Sequence, residues 1–132
     1  MTSQCPRCEG PRFTVSVPDE LSAYAPSTAI NCCQQCLAVD AGEPTDVTAE
    51  PPFDAIHTRF PTGKEGVGLL MLLDKLDSLA LNRSEIESLV ASLESNGVDL
   101  FLTLDRLLDE PAVDPYLDLG RRRTQLEQFL DK

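Results

Sequence analysis

The five cysteines of this 132-residue sequence all lie in two short stretches, CPRCEG and NCCQQC. Each stretch contains a C-x2-C pair, a spacing that lets one tight turn place two thiolates on the same side of a metal ion. Zinc in structural sites takes four such ligands in a tetrahedron and leaves no position open for water. We therefore predict one structural zinc ion, Zn2+, held by Cys5, Cys8, Cys33 and Cys36.

The fifth thiol, Cys32, lies next to a predicted ligand and could replace it. It would form a C-x3-C pair with Cys36, a spacing that zinc sites also accept. Neighbouring residues of a strand point to opposite faces of a sheet, so only one of Cys32 and Cys33 can face the metal. We assign Cys33, because its spacing repeats that of the first pair, and expect Cys32 to pack as a small apolar side chain. We also expect Gly10 to supply the positive φ with which the chain leaves the first turn.

The cysteine turns need a scaffold, and the sequence predicts a small β module at residues 1–40. Segment 11–18, PRFTVSVP, alternates apolar and polar residues with the period of a half-buried strand. Segments 27–33 and 36–40 are expected to form two further strands. A module of this size seldom folds on apolar burial alone, so we expect the metal to hold it together.

A proline-rich connection at 41–61 precedes a helical domain at 62–132. Within the connection, Phe53, Ile56 and Phe60 recur at helical spacing, so we expect part of it to dock on the helical domain. The leucine patterns that follow predict about four short helices. The predicted fold class is α+β, a zinc-ribbon β module followed by a helical bundle.

Cap and stop signals divide the helical domain into its helices. The signals are a Thr62–Glu65 capping box, an Asn82–Glu85 capping box with a Leu81–Ile86 hydrophobic staple, an Asn96-Gly97 stop and an Asp99 cap. Leu104, Leu107 and Leu108 are expected to face inward in the third helix. The first helix is apolar around more than half of its circumference, so it is either central to the bundle or binds a second copy of the chain in a homodimer.

The stretch CPRCEG resembles the turn of zinc-ribbon proteins, whose usual form is CPxCG. Over nearly its full length, the chain resembles small haloarchaeal proteins described as CPxCG-related zinc fingers or as a domain of unknown function. The motifs that carry this resemblance are VPDEL (17–21), CQQCL (33–37), SLALNR (78–83), LDRLL (104–108) and RRRTQLEQ (121–128). Glu9 stands where the usual turn has glycine, which shifts the turn. The resemblance implies a zinc ribbon and brings no established activity.

The composition is strongly acidic, with a net charge of −11 and only three lysines against eight arginines. Such a surface is typical of proteins from extreme halophiles, because at about 1 M salt the Debye length is only about 3 Å and repulsion between carboxylates is screened. The N-terminal residues do not resemble a signal peptide, and the longest apolar run is too short and too charged to span a bilayer. We therefore expect a soluble cytoplasmic protein with no membrane partner.

The patterns favour a protein-interaction, scaffold or regulatory module rather than an enzyme. A closed site of four thiolates activates no water, and the sequence carries no phosphate-binding loop or nucleophile motif. The acidic pairs are expected to be solvated helix faces. His57 is the only histidine, and we assign it no ligand or catalytic role. The expected partner is another protein.

Two alternatives stay open on the sequence alone. Zinc ribbons often serve transcription and translation, and the run Arg121, Arg122 and Arg123 could touch phosphate. The first forty residues nevertheless carry a net charge of −2, which disfavours direct binding of nucleic acid, and the arginines are expected to pair with acids such as Asp114, Asp118 or Glu127. A thiol redox enzyme is the second alternative, but such enzymes use one C-x2-C pair in a βαβ context.

Overall fold

Residues 4–130 are described by a computed structural model, which has the predicted α+β class with a small sheet near the N-terminus and helices after it. The strands are β1 (Arg12–Ser16), β2 (Ala29–Cys33) and β3 (Val39–Ala41). The α-helices are α1 (Phe53–Ile56), α2 (Gly63–Leu76), α3 (Arg83–Ser95), α4 (Leu100–Asp109) and α5 (Leu119–Leu130). Short 3-10 turns occupy Asp19–Tyr24, Pro44–Asp46 and Leu79–Leu81. Within the described part, none of the helices has the length and apolarity needed to cross a membrane.

The three strands form one antiparallel sheet in the order β1-β2-β3. Phe13 pairs with Cys32 and Val15 pairs with Ile30 across β1 and β2, and all four side chains are buried in the main hydrophobic core. The alternation that predicted a half-buried strand therefore places one face of the sheet against the helices. The opposite face of β2 carries Cys33, which belongs to a separate buried cluster of cysteines.

Helix α2 lies at the centre of the helical part and packs against α3 and the edge of the sheet at β3. Six of its side chains have no exposed surface: Leu69, Leu70, Met71, Leu72, Leu73 and Leu76. Its broad apolar surface is thus explained by burial within the chain, the first of the two sequence-based interpretations. The homodimer stays a prediction, and it would have to use other residues than these six.

The connection between the β module and the helices is docked rather than free. Phe53 and Ile56 of α1 and the following Phe60 are 1–4% exposed, as the helical spacing predicted. The Phe53 ring meets Phe13 of β1 edge-on at 5.6 Å and stacks on Phe60 at 5.8 Å between centroids. Sheet, connection and helices therefore share one continuous hydrophobic core, and the boundaries proposed at residues 40 and 61 stay predictions.

The predicted capping box at the start of α2 is wrong in its hydrogen bonds, although the helix begins where expected. Thr62 is the N-cap residue of α2, but its side chain makes no capping hydrogen bond. Glu65 does not reach back either, since its buried Oε2 atom has no hydrogen-bond partner within residues 4–130. Sequence spacing sets the position of a helix start, whereas the rotamers of the two side chains decide whether the box closes.

The second predicted capping box, at Asn82, is also wrong. The Asn82 amide donates to the carbonyls of Lys75 at 3.4 Å and Ser78 at 3.0 Å, so it caps the end of α2 instead of the start of α3. The proposed staple fails with it, because Leu81 is 86% exposed while Ile86 is fully buried. The 3-10 turn at Leu79–Leu81 directs Leu81 outward, away from the first turn of α3.

The signals between α3 and α4 act as predicted. Helix α3 ends at Asn96-Gly97, where the Gly97 φ is +88° and the Val98 amide donates to the Leu93 carbonyl at 3.0 Å. The Asp99 carboxylate accepts from the Leu102 amide at 3.2 Å and caps α4. Of the leucines expected to face inward in α4, Leu108 does not, being 42% exposed.

Truncating a buried side chain at the centre of α2 should destabilise the protein far more than truncating an exposed side chain in the turn after it. We expect Leu70→Ala to lower the free energy of unfolding by about 3 kcal/mol, because a fully buried leucine leaves a cavity. Leu81→Ala is the matched control, and with a side chain 86% exposed it should change stability by less than about 0.5 kcal/mol. Denaturant unfolding measures both values, and equal effects would contradict the assigned packing.

Candidate metal centre

The structure brings together the four cysteines predicted from their spacing. The Sγ atoms of Cys5, Cys8, Cys33 and Cys36 all lie within 4.8 Å of one another. Cys5 and Cys36 are 3.6 Å apart, and Cys8 and Cys33 are 3.4 Å apart, Sγ to Sγ. Four thiolates at about 2.3 Å from a central ion lie about 3.8 Å from each other, so the cluster has the size of a tetrahedral metal site.

The two C-x2-C turns have the same backbone hydrogen bonds. The amide of Cys5 donates to the carbonyl of Gly10 at 2.9 Å, and the amide of Cys33 donates to the carbonyl of Ala38 at 3.0 Å. In each turn, the amide after the second cysteine also donates to the carbonyl of the first cysteine, at 2.9 Å and 3.2 Å. Two equivalent turns face one another, and each contributes two thiols to the cluster.

The residue with positive φ in each turn is not the one that we predicted. The first turn uses Glu9, with φ +63°, and the second uses Leu37, with φ +66°, at the equivalent position after the second cysteine. The assignment of this role to Gly10 is therefore wrong. Gly10 is required for close packing instead, since a Cβ atom there would lie 3.0 Å from Gln35 Cβ and 3.3 Å from Cys33 Sγ.

Backbone amides point at the sulfur atoms from inside the turns. The Arg7 amide donates to Cys5 Sγ at 3.4 Å, and the amides of Gln35 and Cys36 donate to Cys33 Sγ at 3.3 Å each. Such donors stabilise negative charge on sulfur, which a metal-binding thiolate needs. The turns thus supply four ligands together with part of the charge stabilisation of those ligands.

The thiols of the cluster differ in how readily they lose a proton. Burial opposes ionisation of Cys5, but the backbone amides of Cys8 and Arg7 outweigh it and lower the pKa of Cys5 to about 7. Burial raises the pKa values of Cys33 and Cys36. A metal ion must displace the protons of such thiols, so its binding releases protons and weakens as the pH falls.

Cys32 lies on the other face of β2 and outside the cluster. Its side chain is fully buried in the main hydrophobic core, and its Sγ approaches the Cys33 carbonyl at 3.4 Å. Burial, followed by the charges of Cys33 and Cys36, raises the pKa of Cys32 well above its usual range. Cys32 therefore packs as a neutral thiol, as the alternation along the strand predicted.

The segment before α5 donates hydrogen bonds to the second cysteine turn and joins it to the helical part. Sequence reasoning missed this contact. The Asp114 amide donates to the Gln35 carbonyl at 2.8 Å, and the Tyr116 amide donates to the Cys36 carbonyl at 2.9 Å. The Arg7 guanidinium of the first turn lies over the Tyr116 ring at 4.7 Å. Both turns therefore touch the same short segment. In the sequence, only the turn-forming DPY at 114–116 marks this segment.

His57 and the arginine run lie outside the cysteine cluster. The Nδ1 atom of His57 accepts a hydrogen bond from the Arg59 amide at 2.9 Å. Within residues 4–130, the cluster of potential metal ligands consists of the four cysteines alone. No ligand role for His57 arises from this arrangement.

Arg122 and Arg123 of the arginine run bond within the chain, and one of the acids that Arg123 binds is not among those we predicted. Arg123 binds Asp105 of α4 at 2.7 Å and lies 3.6 Å from Glu127, which was among the predicted partners. Arg122 donates to the side chain of Gln125 and to the carbonyl of Asp77, at 2.9 Å each. The sequence could not show Asp105, because that pair depends on how α4 packs against α5.

Adding a methyl group at Gly10 should disturb the centre without removing a ligand. We expect Gly10→Ala to destabilise the protein by about 1–3 kcal/mol and to weaken metal binding, because the new Cβ would press on Gln35 and Cys33. Gly120→Ala is the control, since its nearest neighbouring atom would be a Leu108 methyl group at 3.9 Å. Competition with a chelating dye measures both affinities. Equal affinities would show that the turn tolerates the methyl group.

Fold and cysteine cluster together define a small α+β protein with a candidate metal centre of four thiols. The chain belongs to a family of unknown function, DUF6276, whose model matches residues 4–130. That match includes the sheet, the cysteine cluster and all five α-helices. No curated protein and no solved structure matches the chain. The haloarchaeal origin and the zinc-finger class implied by the sequence resemblance stay predictions.

Proposed function

We propose that the chain is a structural zinc protein whose helices present a surface to another protein. The observation that carries this proposal is the four-thiol cluster, with three of its four cysteines buried: Cys5, Cys33 and Cys36. Four thiolates complete the tetrahedron of Zn2+, so no position is left for a substrate or a reactive water. The zinc ion would supply folding energy and not chemistry.

The contacts of the centre support a scaffolding role. The second turn accepts hydrogen bonds from the segment before α5 at the carbonyls of Gln35 and Cys36, so an ion held there would fix the position of the sheet relative to the helices. Such an ion makes a rigid surface from two parts of the chain. We propose that this surface has a regulatory or assembly function and no catalytic activity of its own.

Direct binding of nucleic acid is the less favoured function. Arg123 is already paired with Asp105 and Glu127, and Arg122 donates to Gln125 and Asp77. Phosphate would have to compete with these intramolecular partners. A net charge of −11 also opposes approach to a polyanion. We place the protein in the cytoplasm, because a reducing compartment keeps such thiols available to a metal.

Metal analysis tests the first part of the proposal. The protein is produced in medium containing both zinc and iron, and its bound metals and reactive thiols are counted. We expect one zinc ion per chain, with all five thiols protected from alkylation until the protein is denatured with a chelator, because the fifth thiol, Cys32, is fully buried in the core. Iron in place of zinc would contradict the structural role and support an electron-transfer site, since iron also accepts four thiolates. Two disulfides and no metal would contradict the proposal.

Capture experiments test whether another protein binds the chain, and they compare the metal-loaded protein with a metal-free variant. Both are used to capture proteins from the native host at the salt concentration of its cytoplasm, with nuclease added to one set. We expect a protein that binds the metal-loaded chain, resists nuclease and is lost with the Cys33→Ala variant. Capture that disappears with nuclease would instead support nucleic-acid association. Equal capture by both chains would contradict a metal-dependent surface.

A further inference from the structure

A polar cleft of about 360 Å3 lies where the first cysteine turn meets the helices. Its walls come from that turn, the start of β3, the last turn of α2 and the segment before α5. The charged and aromatic residues that line it are Arg7, Asp74, Lys75, Asp77 and Tyr116. None of the four clustered cysteines lines the cleft, so it is a separate feature from the candidate metal centre.

Three polar groups of the cleft have no hydrogen bond or ion pair within residues 4–130. The Arg7 guanidinium contacts the Tyr116 ring but no carboxylate at salt-bridge distance. The Asp74 carboxylate is half-buried, and burial raises its pKa, yet it accepts from no described donor. Tyr116 is also half-buried as a residue, and its hydroxyl makes no hydrogen bond within the described part of the chain. Arg7 is exposed, and the polar atoms of Asp74 and Tyr116 are open to solvent, so all three groups are accessible to a ligand from solution.

Charges of both signs line the cleft, although the chain as a whole is strongly acidic. Arg7 and Lys75 provide two positive charges, while Asp74 and Asp77 provide two negative ones. Lys75 is held by Glu85 at 3.7 Å, which leaves Arg7 as the cation free to bind a ligand. A net charge of −11 on the chain disfavours the approach of simple anions. Within the described residues, Arg7 and Asp74 are groups of opposite sign without an ion pair, which favours a ligand that carries both charges.

We propose that this cleft binds a small zwitterion with the carboxylate and ammonium groups of a free amino acid. The planar Arg7 guanidinium would bind the carboxylate through two parallel hydrogen bonds. The Asp74 carboxylate would accept from the ammonium group, and its partial burial strengthens that bond. The Tyr116 hydroxyl would bind either end of the ligand, because it both donates and accepts.

The size and position of the cleft agree with a small ligand. At about 360 Å3 it lies near the lower end of small-molecule sites, which run from about 300 to 1,000 Å3. Two of its three ligand-binding groups, Arg7 and Tyr116, are also preorganised. Arg7 lies between two clustered cysteines and rests on Tyr116, whose amide donates to Cys36. A metal ion in the neighbouring centre would therefore fix Arg7 and Tyr116 in place before the ligand arrives.

Titration of the metal-loaded protein with free amino acids tests the proposal. Calorimetry and two-dimensional NMR would follow binding of glycine, glutamate and lysine, with acetate and methylammonium as probes that carry one charge each. We expect saturable binding of at least one amino acid, with shifts centred on the cleft, and at least about tenfold weaker binding of both single-charge probes. Equal binding of acetate or methylammonium would overturn the proposal, as would no binding at about 10 mM ligand.

Two conservative variants assign the binding to the cleft. Arg7→Gln and Asp74→Asn should each weaken amino-acid binding by at least about tenfold, since each removes one charged partner of the ligand. Arg59→Gln and Asp54→Asn are the matched controls, exposed and outside the cleft, and should leave the affinity unchanged. Retained zinc and an unaltered NMR spectrum away from the cleft establish that each variant is folded. Binding that survives both cleft variants would place the ligand elsewhere and overturn the proposal.

Discussion

Replacing Cys33 with alanine should abolish tight metal binding and destabilise the protein more than any other change at the sheet. The Cys33 thiol lies 3.4 Å from Cys8 in the cluster and accepts two backbone amides, so its loss leaves three thiols and two unused donors. Structural zinc sites contribute about 10–16 kcal/mol of binding free energy in small peptides, all of it coupled to folding. We expect no metal in the purified variant and a lower unfolding temperature, measured by elemental analysis and thermal denaturation.

Cys32→Ala is the control for this experiment, because it removes a neighbouring thiol of equal burial. Cys32 lies among apolar side chains on the other face of β2. The Cys32→Ala variant should therefore be less stable by about 1 kcal/mol and should still bind the metal. Metal bound by Cys33→Ala but lost from Cys32→Ala would reverse the ligand assignment. Loss of metal from both variants would show that the packing of β2, and not the ligand count, controls the site.

The cysteine cluster could be predicted because its determinants are local. Two residues between cysteines define each turn, and the two-residue period of β2 separates Cys32 from Cys33 without knowledge of the rest of the fold. The apolar periodicity of α2 likewise predicted that the helix is covered, either by the bundle or by a second copy of the chain. In all these cases, the spacing along the chain determines which side of an element a residue faces.

What the sequence did not predict depends on contacts between distant segments or on single rotamers. Asn82 suits the start of α3, yet in the folded chain its amide reaches the free carbonyls at the end of α2. Glu9 adopts a φ of +63° although a glycine follows it, and Gly10 is instead the position where the second turn packs closely. The Asp114–Gln35 bond joins residues far apart in sequence, and the turn-forming DPY marks a turn there but not its partner.

That last bond gives metal removal a consequence beyond the cysteine turns. We expect chelation of the metal to accelerate hydrogen exchange at the amides of Asp114 and Tyr116 by at least about tenfold, an opening free energy lower by about 1.4 kcal/mol. Both amides donate to carbonyls of the second cysteine turn, at 2.8 and 2.9 Å. Without the ion, no ligand holds the four thiols together. The second cysteine turn can then open, and the carbonyls of Gln35 and Cys36 no longer accept from these two amides.

The helical part should respond differently, and this difference makes the experiment informative. The Ile86 amide donates to the Asn82 carbonyl at 2.9 Å at the start of α3, and the helices share a core with α2 that contains none of the four clustered cysteines. We therefore expect exchange at Ile86 to change by less than about threefold, because its opening depends on that core. Unchanged exchange at Asp114 and Tyr116 would show that the centre does not hold the segment before α5. Fast exchange at all three amides would show that the helices cannot fold without the metal, which the separate cluster of cysteines argues against.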